Sequence, residues 1–394
     1  MIYLDNNATT KVDEKVLESM MPYFTEEYAN PSSIYDFSKK SSRAIKDARG
    51  VIKDFINASN EKEIIFTSCG SESANTAIKG VLNYNKAKKH IVTTKVEHPC
   101  VLNVYKSLEK QGYKVDYLSV NSNGDLDLEE LDSVINPETA LVSVMWANNE
   151  TGVINPIKKV SEIIKSKNPD TKLFVDAVQV AGKIPMDVQE MGIDLLGISG
   201  HKFHAPKGVG ALYVNSKTMI TPLIIGGHQE RGKRAGTENV PYIVGMAKAA
   251  ELAQDALKYE LTEVKRLRDK LETNLLKNIY NARLNTAVTN RVPNTTNIGF
   301  EYVEGELILL HMSDLGICAS SGSACTSGSL EPSHVLRAMN VPFTAIHGSI
   351  RFSLSRYTTE KEIDFVCEKM PQIIDKITAI SPFQDELAAL KARK

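Results

Sequence analysis

The chain has 394 residues, 42% hydrophobic and 24% charged, an ordinary globular composition at a length for which two domains are expected. Its 47 basic and 48 acidic residues leave a formal net charge of −1, so there is no electrostatic footprint for nucleic acid or an anionic membrane. Five scattered cysteines without a C-x-x-C pair point away from a disulfide framework or zinc knuckle and toward a reducing, cytoplasmic setting. Asp5, Asn6 and Asn7 interrupt the N-terminus too early for a signal peptide, and no apolar run approaches the length of a membrane span.

In chain order, Ile2-Tyr3-Leu4 is a short strand-like patch followed by polar residues to Thr10. A helical face at Val16, Met20 and Phe24 comes next, then a break at Asn30-Pro31-Ser32-Ser33, and a second helical pattern over 34–55. From Ile64 the pattern becomes strand, turn, helix. Strands are expected over 64–67, 90–94, 113–120, 140–147, 172–175, 193–198 and 211–214, with helices through Ala74, Ile78 and Val81 and from Pro99. Apolar strands alternating with amphipathic helices predict an α/β domain whose mainly parallel sheet is covered on both faces. After Val240-Pro241 a charged helical stretch to about Tyr280 predicts a bridge into a second domain of shorter strands and helices.

Ligands of such sheets sit beyond the carboxyl ends of the strands, so the residues just after each strand matter most. Cys69-Gly70-Ser71 opens a helix, where small residues and the helix dipole suit a phosphate; taken alone, Ser71 reads as a helix cap. His98 follows the next strand and suits ring stacking or proton transfer. With Cys100 it fits no common zinc spacing, and no metal site is expected. Asn148-Asn149 and Asp176-Ala177-Val178-Gln179 follow two further strands. Asp176 ends a buried run, so its carboxylate needs a partner, for which a protonated heterocyclic nitrogen, a lysine or an arginine would serve.

Ser199-Gly200-His201-Lys202 lies between an apolar strand and a glycine-rich turn. Taken alone, Lys202 reads as a loop lysine; desolvated at a strand end, its amine could carry a Schiff base. A phosphate cradle, a histidine, a buried acid and a lysine on one sheet edge make the set that a pyridoxal 5′-phosphate enzyme needs, with the acid keeping the ring nitrogen protonated. Further on, Cys325 stands in a run of small residues over 319–329. Such a run favours mobility, which suits a nucleophile that must swing, and also fits a plain surface loop. Cys318 reads as a small core residue.

These residues resemble a known family, the cysteine desulfurases of the NifS/IscS type in the aminotransferase class V superfamily. The likeness runs through residues 3–10, 30–33, 97–99, 148–152, 176–179, 199–202, 234–237, 321–325 and 349–353; the Ser-Gly-Ser-Ala-Cys segment sets desulfurases apart from aminotransferases. It implies fold type I of the pyridoxal-phosphate-dependent transferases, aspartate-aminotransferase-like. A large domain over 13–257 would hold the mainly parallel mixed sheet, and a smaller α/β domain from 1–12 and 258–394 would carry the Cys325 loop.

The resemblance also implies roles. Lys202 would bear the cofactor, Asp176 pair with its ring nitrogen, and His98 stack on the ring and shuttle protons. Asn149 and Gln179 would contact the phenolic oxygen; Gly70, Ser71, Ser199 and His201 would hold the phosphate. Thr237 would reach the cofactor of a second copy, making a homodimer. Arg351, with Asn149, would bind the substrate carboxylate. The implied reaction takes sulfur from L-cysteine, leaving L-alanine and a persulfide on Cys325 for an acceptor such as an iron–sulfur scaffold. A selenocysteine lyase or another class V enzyme is the alternative.

Overall fold

The computed structural model describes residues 1–286, 290–321 and 332–393. Its strands, in chain order, are β1 (Ile2–Tyr3), β2 (Ile64–Thr67), β3 (His90–Thr94), β4 (Lys114–Leu118), β5 (Thr139–Met145), β6 (Lys172–Asp176), β7 (Leu195–Ser199), β8 (Gly210–Val214), β9 (Ala282–Leu284), β10 (Thr295–Phe300), β11 (Ile317–Cys318), β12 (Ser320–Ser321) and β13 (Ser349–Ser353). The main sheet has seven strands in the order β2-β8-β7-β6-β5-β3-β4. Pairing is parallel from β7 to β4, and β8 runs antiparallel to both its neighbours. Six carboxyl ends therefore open on one edge.

Alternation along the strands explains the two buried faces. Val142 and Val144, Leu173 and Val175, and Leu196 and Ile198 share one core with the helices Lys39–Phe55, Ile157–Lys167 and Val240–Tyr259. Leu141, Phe174 and Leu195 share another with the helices Gly70–Tyr84 and Pro99–Glu109. In the helix Lys39–Phe55, the buried Ile45, Ala48, Ile52 and Phe55 recur at three- and four-residue spacing, a single apolar stripe. Across β5, β6 and β7, Met145 pairs with Asp176 and Asp176 with Gly197. That register puts the segments after three strands at one level.

A further core contains Leu4 from the N-terminus, Val264, Leu267, Leu271 and Leu275, and Ile350, Phe352 and Ile363. It lies against the antiparallel sheet β12-β13-β10-β9 and the parallel pair β1-β11. The helix Val240–Tyr259 continues through a π-helical turn, Glu260–Val264, into the helix Lys265–Asn278. Its first part belongs to the main-sheet core up to Ala253 and its last part to the further core from Val264.

Three expectations need correction. Val16 and Met20 are buried, but Phe24 is 47% exposed, because the first helix ends at Met20 and Pro22 starts a separate turn. The second helix begins at Lys39, after a 3-10 turn over Asp36–Ser38, so Ile34 lies outside it in solvent. Cys318 is half-buried in β11, at the margin of the core.

Arg49 forms a two-pronged ion pair with Glu230, at 2.6 and 2.8 Å, and donates to the Ile64 carbonyl at 2.7 Å. Both partners are buried, so deleting one strands the other's charge. Arg49→Ala is expected to lose about 3–5 kcal/mol of stability, measured by chemical denaturation against wild type.

Candidate active site

Beyond the carboxyl edge lies a cavity of about 250 Å³ lined by Cys69, Gly70, Ser71, His98, Cys100, Met145, Asn149, Asp176, Val178, Gln179, Ser199, His201 and Lys202. Nearly every strand-end residue singled out in the sequence therefore meets in one place. Thr237 and Arg351 do not line it, and Cys325 falls outside the described residues.

One end of the cavity is suited to an anion. The helix Gly70–Tyr84 starts behind Cys69 with no side chain capping its first amides. The cap position belongs to Cys69 and not Ser71, which stands exposed in the first turn. A Cβ at Gly70 would come within 2.9 Å of Val178 Cγ2, so glycine lets the helix start pack against the β6 loop. Among the described residues the buried Ser199 hydroxyl has no hydrogen-bond partner. His201 Nδ1 lies 3.1 Å from Thr9 Oγ1; burial first, and the Lys202 charge next, hold its pKa down at about 4. The ring is therefore neutral at pH 7.

The floor holds Asp176. Its Oδ1 accepts from the Val178 amide at 3.0 Å, and its Oδ2 has the Cys100 thiol 3.9 Å away. Burial raises its pKa, opposed by the charges of His98 and Lys202. His98 caps the helix Pro99–Glu109 by accepting the Cys100 amide on Nδ1 at 3.1 Å, so in the neutral ring the proton sits on Nε2. Burial is also the main force lowering the His98 pKa.

Lys202 leaves a 3-10 turn after β7 and donates to the main-chain carbonyls of Asn7 at 2.7 Å and Ala8 at 2.8 Å. Gln179 Nε2 donates to the same Asn7 carbonyl at 3.1 Å. Asn149 is set by the turn after β5, in which Asn148 Oδ1 accepts the amides of Glu150 and Thr151 and Gly152 takes a φ of 79°. The Asn149 carbonyl accepts from Asn7 Nδ2 at 3.1 Å and from Arg351 Nη1 at 3.0 Å. Arg351 comes from β13, pairs with Asp5 at 2.7 Å, and keeps a buried Nε without a partner among the described residues. Thr237 is exposed, three residues past Arg234, which is ion-paired to Glu72 in the first turn of the helix Gly70–Tyr84.

Uncapped amides, an unpartnered hydroxyl, a buried carboxyl and an amine in one cavity fit a phosphorylated pyridine aldehyde. The donors suit the phosphate, and Asp176 suits a ring N–H. Sequence reasoning missed Asn7, Lys183 and Glu97. Asn7 is brought in only by tertiary folding. Lys183 stands four residues after Gln179 and donates to its Oε1 at 2.8 Å. Glu97, beside His98, is fully buried and accepts on Oε1 from Thr94 and the Met145 amide.

Several comparisons bear on this geometry. The aminotransferase class-V family model matches residues 2–366. A cysteine desulfurase of Nostoc sp. is 56% identical over all of this chain and 98% of its own length. Cysteine desulfurase NifS of Azotobacter vinelandii is 50% identical over 97% of this chain and 94% of its own. Among solved structures, a NifS-like protein superposes with a TM-score of 0.90 at 40% identity, covering 95% of this chain and 99% of that one. SspA in complex with cysteine superposes at 0.80 and 35% identity, covering 91% of this chain and 100% of that one.

Burial raises the Glu97 pKa from 4.5 to about 8, so the folded state binds a proton there that the unfolded state has lost. Wild type therefore loses stability as pH climbs through that window. Glu97→Gln cannot ionise. Its thermal midpoint is expected to gain on wild type between about pH 4.5 and 8, the difference then staying flat; a pH-independent difference would count against a protonated Glu97.

Proposed function

The chain belongs to the aminotransferase class-V family, and from that premise we propose how its cavity works. The protein is a cysteine desulfurase: it takes sulfur from L-cysteine, leaving L-alanine. The observation that carries this reading is the meeting of Asp176 and Lys202 in one cavity, in a chain whose relatives over its full length are desulfurases.

Pyridoxal 5′-phosphate is the cofactor in this reading; when bound, it supplies an electrophilic carbonyl and an electron sink for the substrate's α-carbon. Lys202 would hold it covalently, and the Lys202 amine is the group that would take the substrate's α-proton. Asp176 would keep the ring nitrogen protonated; buried, and hydrogen-bonded among the described residues by one amide with a thiol at 3.9 Å, its carboxyl suits such a donor. Gly70, Ser71, Ser199 and His201 would hold the phosphate, and Asn149 and Gln179 would meet the phenolic oxygen. His98 would stack on the ring. With Nδ1 tied to the Cys100 amide, Nε2 is left as its atom for proton traffic.

Arg351 binds the substrate carboxylate, with Asn149 beside it. The Cys325 thiolate attacks the substrate sulfur: the S–S bond forms as the Cβ–S bond breaks, the electron pair of that bond stays with the carbon fragment, and the fragment takes up a proton and leaves as alanine. The persulfide on Cys325 then passes to an acceptor such as an iron–sulfur scaffold. Thr237 completes the phosphate site of a second copy, so the working unit is a homodimer. Among the described residues no helix is long and apolar enough to cross a membrane.

Alanine and sulfide released from L-cysteine under reducing conditions test the reading. Cys325→Ala is expected to keep the cofactor's visible absorbance while alanine formation falls at least about 1000-fold. Equal sulfide release by wild type and variant would remove Cys325 from the reaction and favour a lyase. A second prediction concerns Asp176→Asn. It keeps the shape but not the charge that holds the ring proton, and is expected to lower kcat at least about 100-fold with little change in KM.

A further inference from the structure

We infer that Lys183 is a positioning residue, whose amine locks the side-chain amides of Gln179 and Asn7 in the one orientation that leaves a Gln179 N–H for the cofactor cavity. Lys183 is 6% exposed. Its Nζ donates to Gln179 Oε1 at 2.8 Å and to Asn7 Oδ1 at 3.2 Å, so its hydrogen bonds go to two amide oxygens and not to a carboxylate.

A side-chain amide can turn over at little cost unless its partners tell oxygen from nitrogen. Here they do. An amine that donates to Oε1 leaves Nε2 as the other end of Gln179, where one hydrogen goes to the Asn7 carbonyl at 3.1 Å and the second remains for the cavity that Gln179 lines. Turning the amide over would face N–H against N–H at Lys183 and oxygen against oxygen at Asn7.

Asn7 is held in the same way. Its Oδ1 accepts from Lys183 and from Asn294 Nδ2 at 3.1 Å, and its Nδ2 donates to the Asn149 carbonyl at 3.1 Å and Thr295 Oγ1 at 2.8 Å. The Asn7 carbonyl that receives Gln179 also receives Lys202 at 2.7 Å. Lys183 thus stands one hydrogen bond from the wall residue Gln179 and from Asn7, and through Asn7 two from the Lys202 amine. Burial is the main force that brings its pKa down to about 7, with the Lys202 charge adding to it, Glu260 opposing and Arg351 adding again. Either protonation state keeps N–H groups to donate, so the orienting role survives the titration.

The inference rests on the assignment of Gln179 to the cofactor's phenolic oxygen, an acceptor that wants a donor opposite it. The test is a double-mutant cycle read by spectroscopy. Holoenzyme spectra, and cofactor dissociation constants measured on the stripped protein, are compared for wild type, Lys183→Met, Gln179→Ala and the double variant. Lys183→Met and Gln179→Ala are each expected to move the visible maximum and to weaken cofactor binding roughly five- to tenfold. The double variant is expected to match Gln179→Ala alone, and Lys183→Arg to return toward wild type.

A Lys183→Met protein with a lower thermal midpoint but wild-type spectrum and affinity, beside a shifted Gln179→Ala, would overturn the inference and leave the Gln179 assignment standing. Additive effects in the double variant would also overturn it. An unshifted Gln179→Ala would bring down the assignment and the inference together. Lys183→Leu, read in the same way, replaces Lys183→Met should the latter not fold.

Discussion

One main-chain carbonyl, that of Asn7, receives both the Lys202 amine and the Gln179 amide. Around it the Asn7 side chain reaches Asn149 and Lys183 on one side, and Thr295 and Asn294 on the other. Asn149, Gln179 and Lys202 come from loops at the edge of the main sheet, while Thr295 belongs to the antiparallel sheet. The residues just before it bind β13 of the antiparallel sheet too: the Asn6 amide donates to the Ser353 carbonyl, and the Ser353 amide to that of Leu4. The first residues of the chain therefore fasten the edge of one sheet to the edge of the other, and the Lys202 amine is held at that fastening.

The electrostatics follow from burial. Asp176 and Glu97 are carboxyls pushed toward the neutral form, and His98 and His201 are rings pushed the same way. Desolvation leads in every case, which marks a pocket with little water to offer a charge. In the proposed reading, charge brought in by a ligand would be met by directed groups: Asp176 for a ring N–H, the uncapped amides near Gly70 for a phosphate and, outside the cavity lining, Arg351 for a carboxylate. Preorganised donors in such a setting act more strongly than they would in water.

Much of this was legible in the sequence, and the reason is topological. A parallel sheet sends its strand ends to one edge, so reading the strands placed Ser71, His98, Asn149, Asp176 and Lys202 together before any contact was known. What stayed hidden depends on folding at a distance. Nothing near Asn7 shows that its carbonyl will meet a lysine some two hundred positions later, and Lys183 looks like an ordinary charged residue in a turn. Local rules also failed where a neighbour overrode them. Pro22 cut short the face that included Phe24, and the helix start shifted its cap from Ser71 to Cys69. Arg351 was named by resemblance alone, and the structure adds its partners, Asp5 and the Asn149 carbonyl.

The central claim is that Lys202, held at the Asn7 carbonyl, bears the cofactor. Reduction of the holoenzyme with borohydride, followed by proteolysis and mass spectrometry, tests it without reference to turnover. A pyridoxyl group on the peptide containing Lys202, at about one per chain, is the result the account predicts. The same group on Lys183, or on neither lysine in protein that carries the visible band, would contradict it.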